Sequence, residues 1–176
     1  MSLPQIHLVE AGIQRVAARI PELSVEQSLT FRVATLLGRE LSSRMDQFLA
    51  PAGLSEIEFR TLISVFSHGE DAAYPGELGV TLSQSPANMT RVSDALVERG
   101  LITRAPSEQD RRRMQLRVTP AGEDLVRQML PQMARFTREL FGDFAPGELS
   151  RFLSDLKRVF ATLDRLTPNT PTEQGS

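Results

Sequence analysis

Three consecutive arginines, Arg111, Arg112 and Arg113, follow Asp110 and precede the alternating run Met114, Leu116, Val118. Between residues 104 and 117 five arginines stand against Glu108 and Asp110, a local charge of +3 in a chain whose net charge is −2. A guanidinium is always charged and offers its donors in a planar fork, so arginines gathered in one short polar stretch suit phosphate oxygens and narrow minor grooves. Bond-making chemistry has no comparable set. The chain has no cysteine, which removes thiolate nucleophiles, disulfides and thiol-based sensing together. Its two histidines, His7 and His68, stand without partners at metal-ligand spacing and read as surface or packing residues. No HExxH, no phosphate-cradling glycine loop, no nucleophile–base pair and no clustered carboxylates are found. The expectation is therefore a protein that is not an enzyme, with no catalytic residue, no metal and no cofactor.

A second group of candidates lies upstream, in "SQSPANMTR": Ser83, Gln84, Ser85, Ala87, Asn88, Met89, Thr90 and Arg91. These small and polar residues open a segment that continues as "VSDALVERG", whose inward positions read as Val92, Leu96 and Val97, leaving Asn88, Met89 and Arg91 on the leading face. Taken singly, a charged loop is a solvated turn and a polar helix start is ordinary surface. Their order gives them meaning together.

The elements that must position them follow from periodicity. Residues 5–20 carry Ile6, Val9, Ile13, Val16 and Ile20 on a narrow helical stripe that Pro21 interrupts. Ser24 and Gln27 look like a capping pair for a helix of about 25 residues reaching Leu49, long for a chain of 176 and suited to crossing a domain or lying in a subunit interface. Arg39, Glu40, Arg44 and Asp46 read as exposed or intersubunit charges on it. Ser55 and Glu58 cap the next helix, with Phe59, Leu62, Ile63 and Phe66 inward. "PGELGVTL" and "PANMTRVSDALVER" are two helices with proline in the first turn, separated by the tight break "SQS". After Gly100, a natural left-handed stop, the period changes to two. "LITRA" and "MQLRVT" are strands around the arginine loop. Thr119 caps a further helix that Pro131 should kink. A last helix runs from about Pro146 to Leu166, and the Pro/Thr-rich tail is expected to be disordered.

Helix, helix, tight turn, helix, strand, charged loop, strand is the order of a winged helix-turn-helix, in a chain that is mainly α with a small β-hairpin wing. The second helix of such a pair lies in a major groove, and the hairpin beside it reaches the minor groove and backbone. Asp110, an acid among wing arginines, is expected to brace the Arg112 guanidinium. The chain divides into an N-terminal arm and long helix (1–50), the DNA-binding unit (51–119), C-terminal helices (120–166) and a tail (167–176). The outer helices carry more apolar surface than a small domain can cover, which favours a symmetric homodimer. No apolar run approaches the roughly 18 residues of a membrane span and no secretory leader is visible, so no membrane partner and a cytoplasmic location are expected.

At "DRRRMQLRVTPAG" the sequence resembles the MarR family of transcriptional regulators, whose wing motif matches Asp110, Arg112, Val118 (for the usual leucine), Thr119 and Gly122. "SPANMTRVSDALVERGLITR" is similar to the family's recognition helix and the junction after it, at Glu98, Arg99, Gly100 and Leu101. The likeness covers about residues 25–166. It implies a homodimer built from the N- and C-terminal helices that binds a pseudo-palindromic operator in double-stranded DNA. It also implies release by a small lipophilic or phenolic effector. Within the family, the length, the N-terminal extension and Leu130–Pro131 resemble the branch that represses a multidrug-efflux operon. The family's peroxide-sensing switch needs a thiol that this chain lacks. For an effector seat the sequence offers the apolar junction of Met45, Phe48, Phe59, Ile63 and Phe66, though core packing accounts for most of these. A regulator of aromatic catabolism or virulence genes, and a helical interaction module without DNA contact, stay open beside the efflux reading.

Overall fold

The structure, a computed structural model, describes residues 3–69, 71–107, 110 and 112–166. Arg111 and the tail, for which expectations are stated above, lie outside the described residues. The chain divides into two compact units, one ending at Val126 and the other beginning at Arg127.

In the first unit, α1 (Leu3–Ala17) and α2 (Val25–Leu49) are joined by the turn at Pro21. Ser24 accepts the Gln27 backbone N–H at 3.3 Å and so satisfies one of the donors that every helix start leaves unpaired. Of the 25 residues of α2 only Leu49 is buried. Beyond a short 3-10 turn (Ala50–Ala52), α3 (Glu56–Ser67) opens on a complete capping box. Ser55 Oγ accepts the Glu58 N–H, while Glu58 accepts the Ser55 N–H at 2.8 Å. Then come α4 (Pro75–Thr81), α5 (Pro86–Glu98), β1 (Ile102–Pro106) and β2 (Met114–Val118).

The strands form an antiparallel hairpin in the register Ile102↔Val118 to Pro106↔Met114. Ala73 adds a third edge, exchanging both backbone hydrogen bonds with Leu116 at 3.1 and 2.8 Å. Residues 71–74 thus pin the start of α4 to the hairpin. α3 packs on α5 and β2, and α4 on the same two elements. Leu62, Val92, Leu96 and Leu116 are fully buried at the centre. Burying one such side chain is worth roughly 1.5–3 kcal/mol, so the four together are a large share of what holds this unit.

α6 (Pro120–Leu140) runs on through Pro131 without ending there. In the second unit, Phe144 contacts Phe141 and Phe152 at ring-centroid distances of 5.9 and 5.6 Å, closing the turn between the end of α6 and α7 (Glu148–Leu166). α7 has no buried residue, although Leu149, Leu153, Leu156, Val159, Phe160 and Leu163 repeat at helical spacing.

Candidate nucleic-acid interface

The angle between α4 and α5 is set by a few backbone features. Ser83 adopts a left-handed conformation (φ 54°), uncommon for a residue with a side chain, which turns the chain within two residues. Gln84 N–H closes the turn on the Gly79 carbonyl at 2.7 Å. A Cβ at Gly79 would lie 3.1 Å from the Gln84 carbonyl oxygen and 3.3 Å from Met89 Cγ, so this close approach favours glycine. Ser85 then caps α5, accepting the Asn88 N–H at 3.3 Å.

Of the sequence candidates, Ser83, Ser85, Ala87, Thr90 and Arg91 are exposed, and Gln84 and Asn88 are half-buried beside them. Met89 is not on this face. It is 1% exposed and belongs to the core. It stands three and seven residues before Val92 and Leu96, on the same stripe of a 3.6-residue helix, so its assignment to the leading face is corrected. Val97, expected inward, is 37% exposed, and Ser93 takes its place inside.

The wing has its own corrections. Asp110 accepts the Arg112 backbone N–H at 2.9 Å, and its carbonyl accepts the Arg113 N–H at 2.9 Å. The carboxylate therefore braces the turn's backbone and not the Arg112 guanidinium, as expected of a short acid two residues before the donor. The Arg112 side chain is exposed. Arg113 is engaged elsewhere: its Nη2 lies 2.6 Å from Glu77 Oε1, and its guanidinium sits over the Tyr74 ring at 3.9 Å. It fastens the wing to the start of α4 through Nη2 and its stacked face, with the side chain about half exposed.

Three residues of this site escaped the sequence reading, Tyr74, Glu77 and Asp94, while Arg104 was counted only as part of the basic stretch. Arg104 on β1 donates to Asp94 on α5 at 2.7 Å, which ties the strand to the helix. Glu77 lies 36 residues from Arg113, a separation that no periodicity exposes.

Of the motif residues behind the family resemblance, Arg99, Gly100, Thr119 and Gly122 are architectural. Arg99 donates to the carbonyls of Ala52 and Gly53, both at 2.6 Å, fixing the end of α5 to the turn before α3. Gly100 takes φ 67°. Thr119 Oγ1 donates to the Gly100 carbonyl at 2.7 Å and accepts the Gly122 N–H at 3.0 Å. A Cβ at Gly122 would collide with the Leu101 carbonyl oxygen, so only glycine lets α6 begin this close to the wing's first strand.

The junction named for an effector is partly closed by an aromatic pair. Phe59 is 2% exposed and packs edge-on against Phe48 at 6.1 Å between centroids, while Met45, Ile63 and Phe66 are half-buried. An open groove of about 610 Å³ lies elsewhere, between α1 and α2, lined by Val9, Ile13, Val16, Leu23 and Phe31 with Arg32 at its edge. On α2, Arg44 donates to Glu40 at 3.2 Å and holds that carboxyl below the usual carboxylate range. Among the described residues no cluster of His, Asp or Glu has metal-site geometry, and no helix is long and apolar enough to cross a membrane.

A helix pair at a steep tight turn, followed by a braced hairpin, defines a winged helix-turn-helix. Residues 54–114 match the MarR family model. The transcriptional repressor MprA of Escherichia coli K12 is 26% identical over 158 residues, which are 90% of each chain. Among solved structures, the S. aureus MepR–DNA complex aligns with a TM-score of 0.68 at 20% identity, over 77% of this chain and 95% of that one. A mutant E. coli MarR complexed with operator DNA aligns at 0.62 and 24%, over 73% and 91%. The chain is thus similar to MarR-family transcriptional regulators, its winged helix-turn-helix being the part that the family model matches.

Proposed function

We propose that two copies of this chain bind a pseudo-palindromic operator in double-stranded DNA and repress transcription, working in the cytoplasm where the chromosome lies. Residues 51–119 would supply the DNA-binding unit, and 1–50 with 120–166 the dimer contacts. α5 enters a major groove with Ser85, Ala87, Asn88, Thr90 and Arg91 leading, and the wing sets Arg112 over the minor groove. The observation that carries this reading is the joint exposure of that polar helix start and Arg112 on elements fixed by the same core. The names of the relatives agree: a repressor, and two proteins crystallised with DNA. The dimer rests on the apolar stripe of α7, where Val159 and Phe160 are 56% and 67% exposed. Stripes of this kind in a soluble helix call for a partner surface.

The regulated target in this reading is a multidrug-efflux or stress-response operon, released by a small lipophilic or phenolic effector. For its seat we propose the α1–α2 groove in place of the Phe48–Phe59 junction. Its volume falls in the range of small-molecule sites, its walls are apolar, and Arg32 offers a charge to an anionic head. Arg32→Ala should then weaken release by an anionic effector while leaving operator affinity unchanged.

The test of the DNA reading is a titration of the full chain against its own upstream region at several salt concentrations. Affinity should fall steeply and linearly in log–log form as phosphate contacts release counterions. Salt-independent association would favour a protein-interaction module.

A further inference from the structure

The exposed face of α5 carries a one-way relay of hydrogen bonds. Arg91 donates through Nε and Nη2 to Asn88 Oδ1, at 3.2 and 3.0 Å. Asn88 Nδ2 donates to Gln84 Oε1 at 2.5 Å, and Gln84 Nε2 donates to the Leu82 carbonyl at 3.0 Å. Both ends of each amide are used, so neither amide can turn over without losing a bond. The relay ends on backbone at the tight turn, which the Gln84–Gly79 hydrogen bond already fixes. Arg91 is therefore held along one edge of its guanidinium while its side chain stays exposed.

What the relay leaves over is specific. With the Nε–Nη2 edge on Asn88, the end of the fork keeps two roughly parallel N–H donors, one on Nη1 and one on Nη2. In the major groove the base edge with two adjacent acceptors is that of guanine, N7 and O6. Adenine sets a donor beside N7, thymine a methyl beside O4, and cytosine presents a donor. An arginine already ordered also loses less side-chain entropy on contact than a free one. Arg91 lies in the second turn of α5, within the N-terminal part of a recognition helix that reaches base edges.

We propose that Arg91, held by Asn88 and Gln84, reads a guanine in each operator half-site, and that Asn88 and Gln84 act on that base as positioning residues. The inference rests on the DNA-binding function proposed above and adds the base that is read.

The experiment is selection of duplexes from a randomised DNA pool by the full-length protein, followed by titration of the selected duplex. Wild type should enrich a guanine column in each half-site. Arg91→Ala should flatten that column, a loss of about 5- to 150-fold in discrimination, while other columns persist. Asn88→Ala should weaken the same column and leave the salt dependence unchanged. Replacing that guanine by 7-deazaguanine, which lacks the N7 acceptor, should lower wild-type affinity and leave Arg91→Ala unaffected. If Arg91→Ala lowers affinity equally at every sequence, Arg91 contacts phosphate and the inference is overturned. Loss of an A, T or C column overturns it as well, and an Asn88→Ala effect confined to other columns overturns the positioning role. A pool that returns unenriched with wild type overturns the DNA-binding reading itself, and the inference with it.

Discussion

The winged helix-turn-helix and the last helix are built from similar apolar residues and put them to opposite uses. Around α3, α5 and β2, Leu62, Val92, Leu96 and Leu116 are fully buried, and the surface left over is small and polar. In α7 the same periodicity produces no buried residue, and Phe160 is 67% exposed. One region has closed its core within a single chain. The other presents a core face that a second chain can complete. If the proposed dimer forms through α7, the difference separates what folds the protein from what would assemble it, and substitutions should affect the two separately.

The largest effect is expected from charging the open face. Leu153→Glu with Phe160→Glu should leave the chain folded by circular dichroism but monomeric by sedimentation. Operator affinity should fall by about 10²- to 10⁴-fold as two linked contacts become one. A variant that stays dimeric would erase the contrast. Leu96→Ala attacks the closed core and should cost about 2–5 kcal/mol in denaturant unfolding, with no change in subunit affinity where the protein is still folded. Arg112→Ala touches neither region's packing. It should leave the melting temperature alone and lower the slope of log affinity against log salt by about 1 per protomer. Asp110→Ala should have a smaller effect, a several-fold loss of affinity, because the turn loses its hydrogen bond to the Arg112 N–H. It removes a negative charge near DNA, so a gain in affinity would show that electrostatics outweigh the turn.

Much of this was legible in the sequence where local rules decide. Ser55 with Glu58, Pro75, Pro86 and Gly100 mark helix ends through contacts within a few residues, and the alternation of Met114, Leu116 and Val118 marked the second strand. Local signals were also misread. Met89 shares the stripe of Val92 and Leu96, so its burial was available from spacing alone. The tertiary partners were not. Arg113 looks like its neighbours in sequence, and it is tertiary packing, including the bridge between Ala73 and Leu116, that brings Tyr74 and Glu77 against it. The groove beside α1 was hidden for a related reason, because its shape depends on how two helices cross and not on either helix alone.

The central claim is that two chains straddle one duplex, each with a helix and a wing. The most direct test is the mass of the complex formed at low ionic strength between the full-length protein and a duplex from its own upstream region, by native mass spectrometry or sedimentation. Two chains per duplex are expected, with no stable one-chain species before saturation. A complex of one chain per duplex, or no complex at all, would contradict the account.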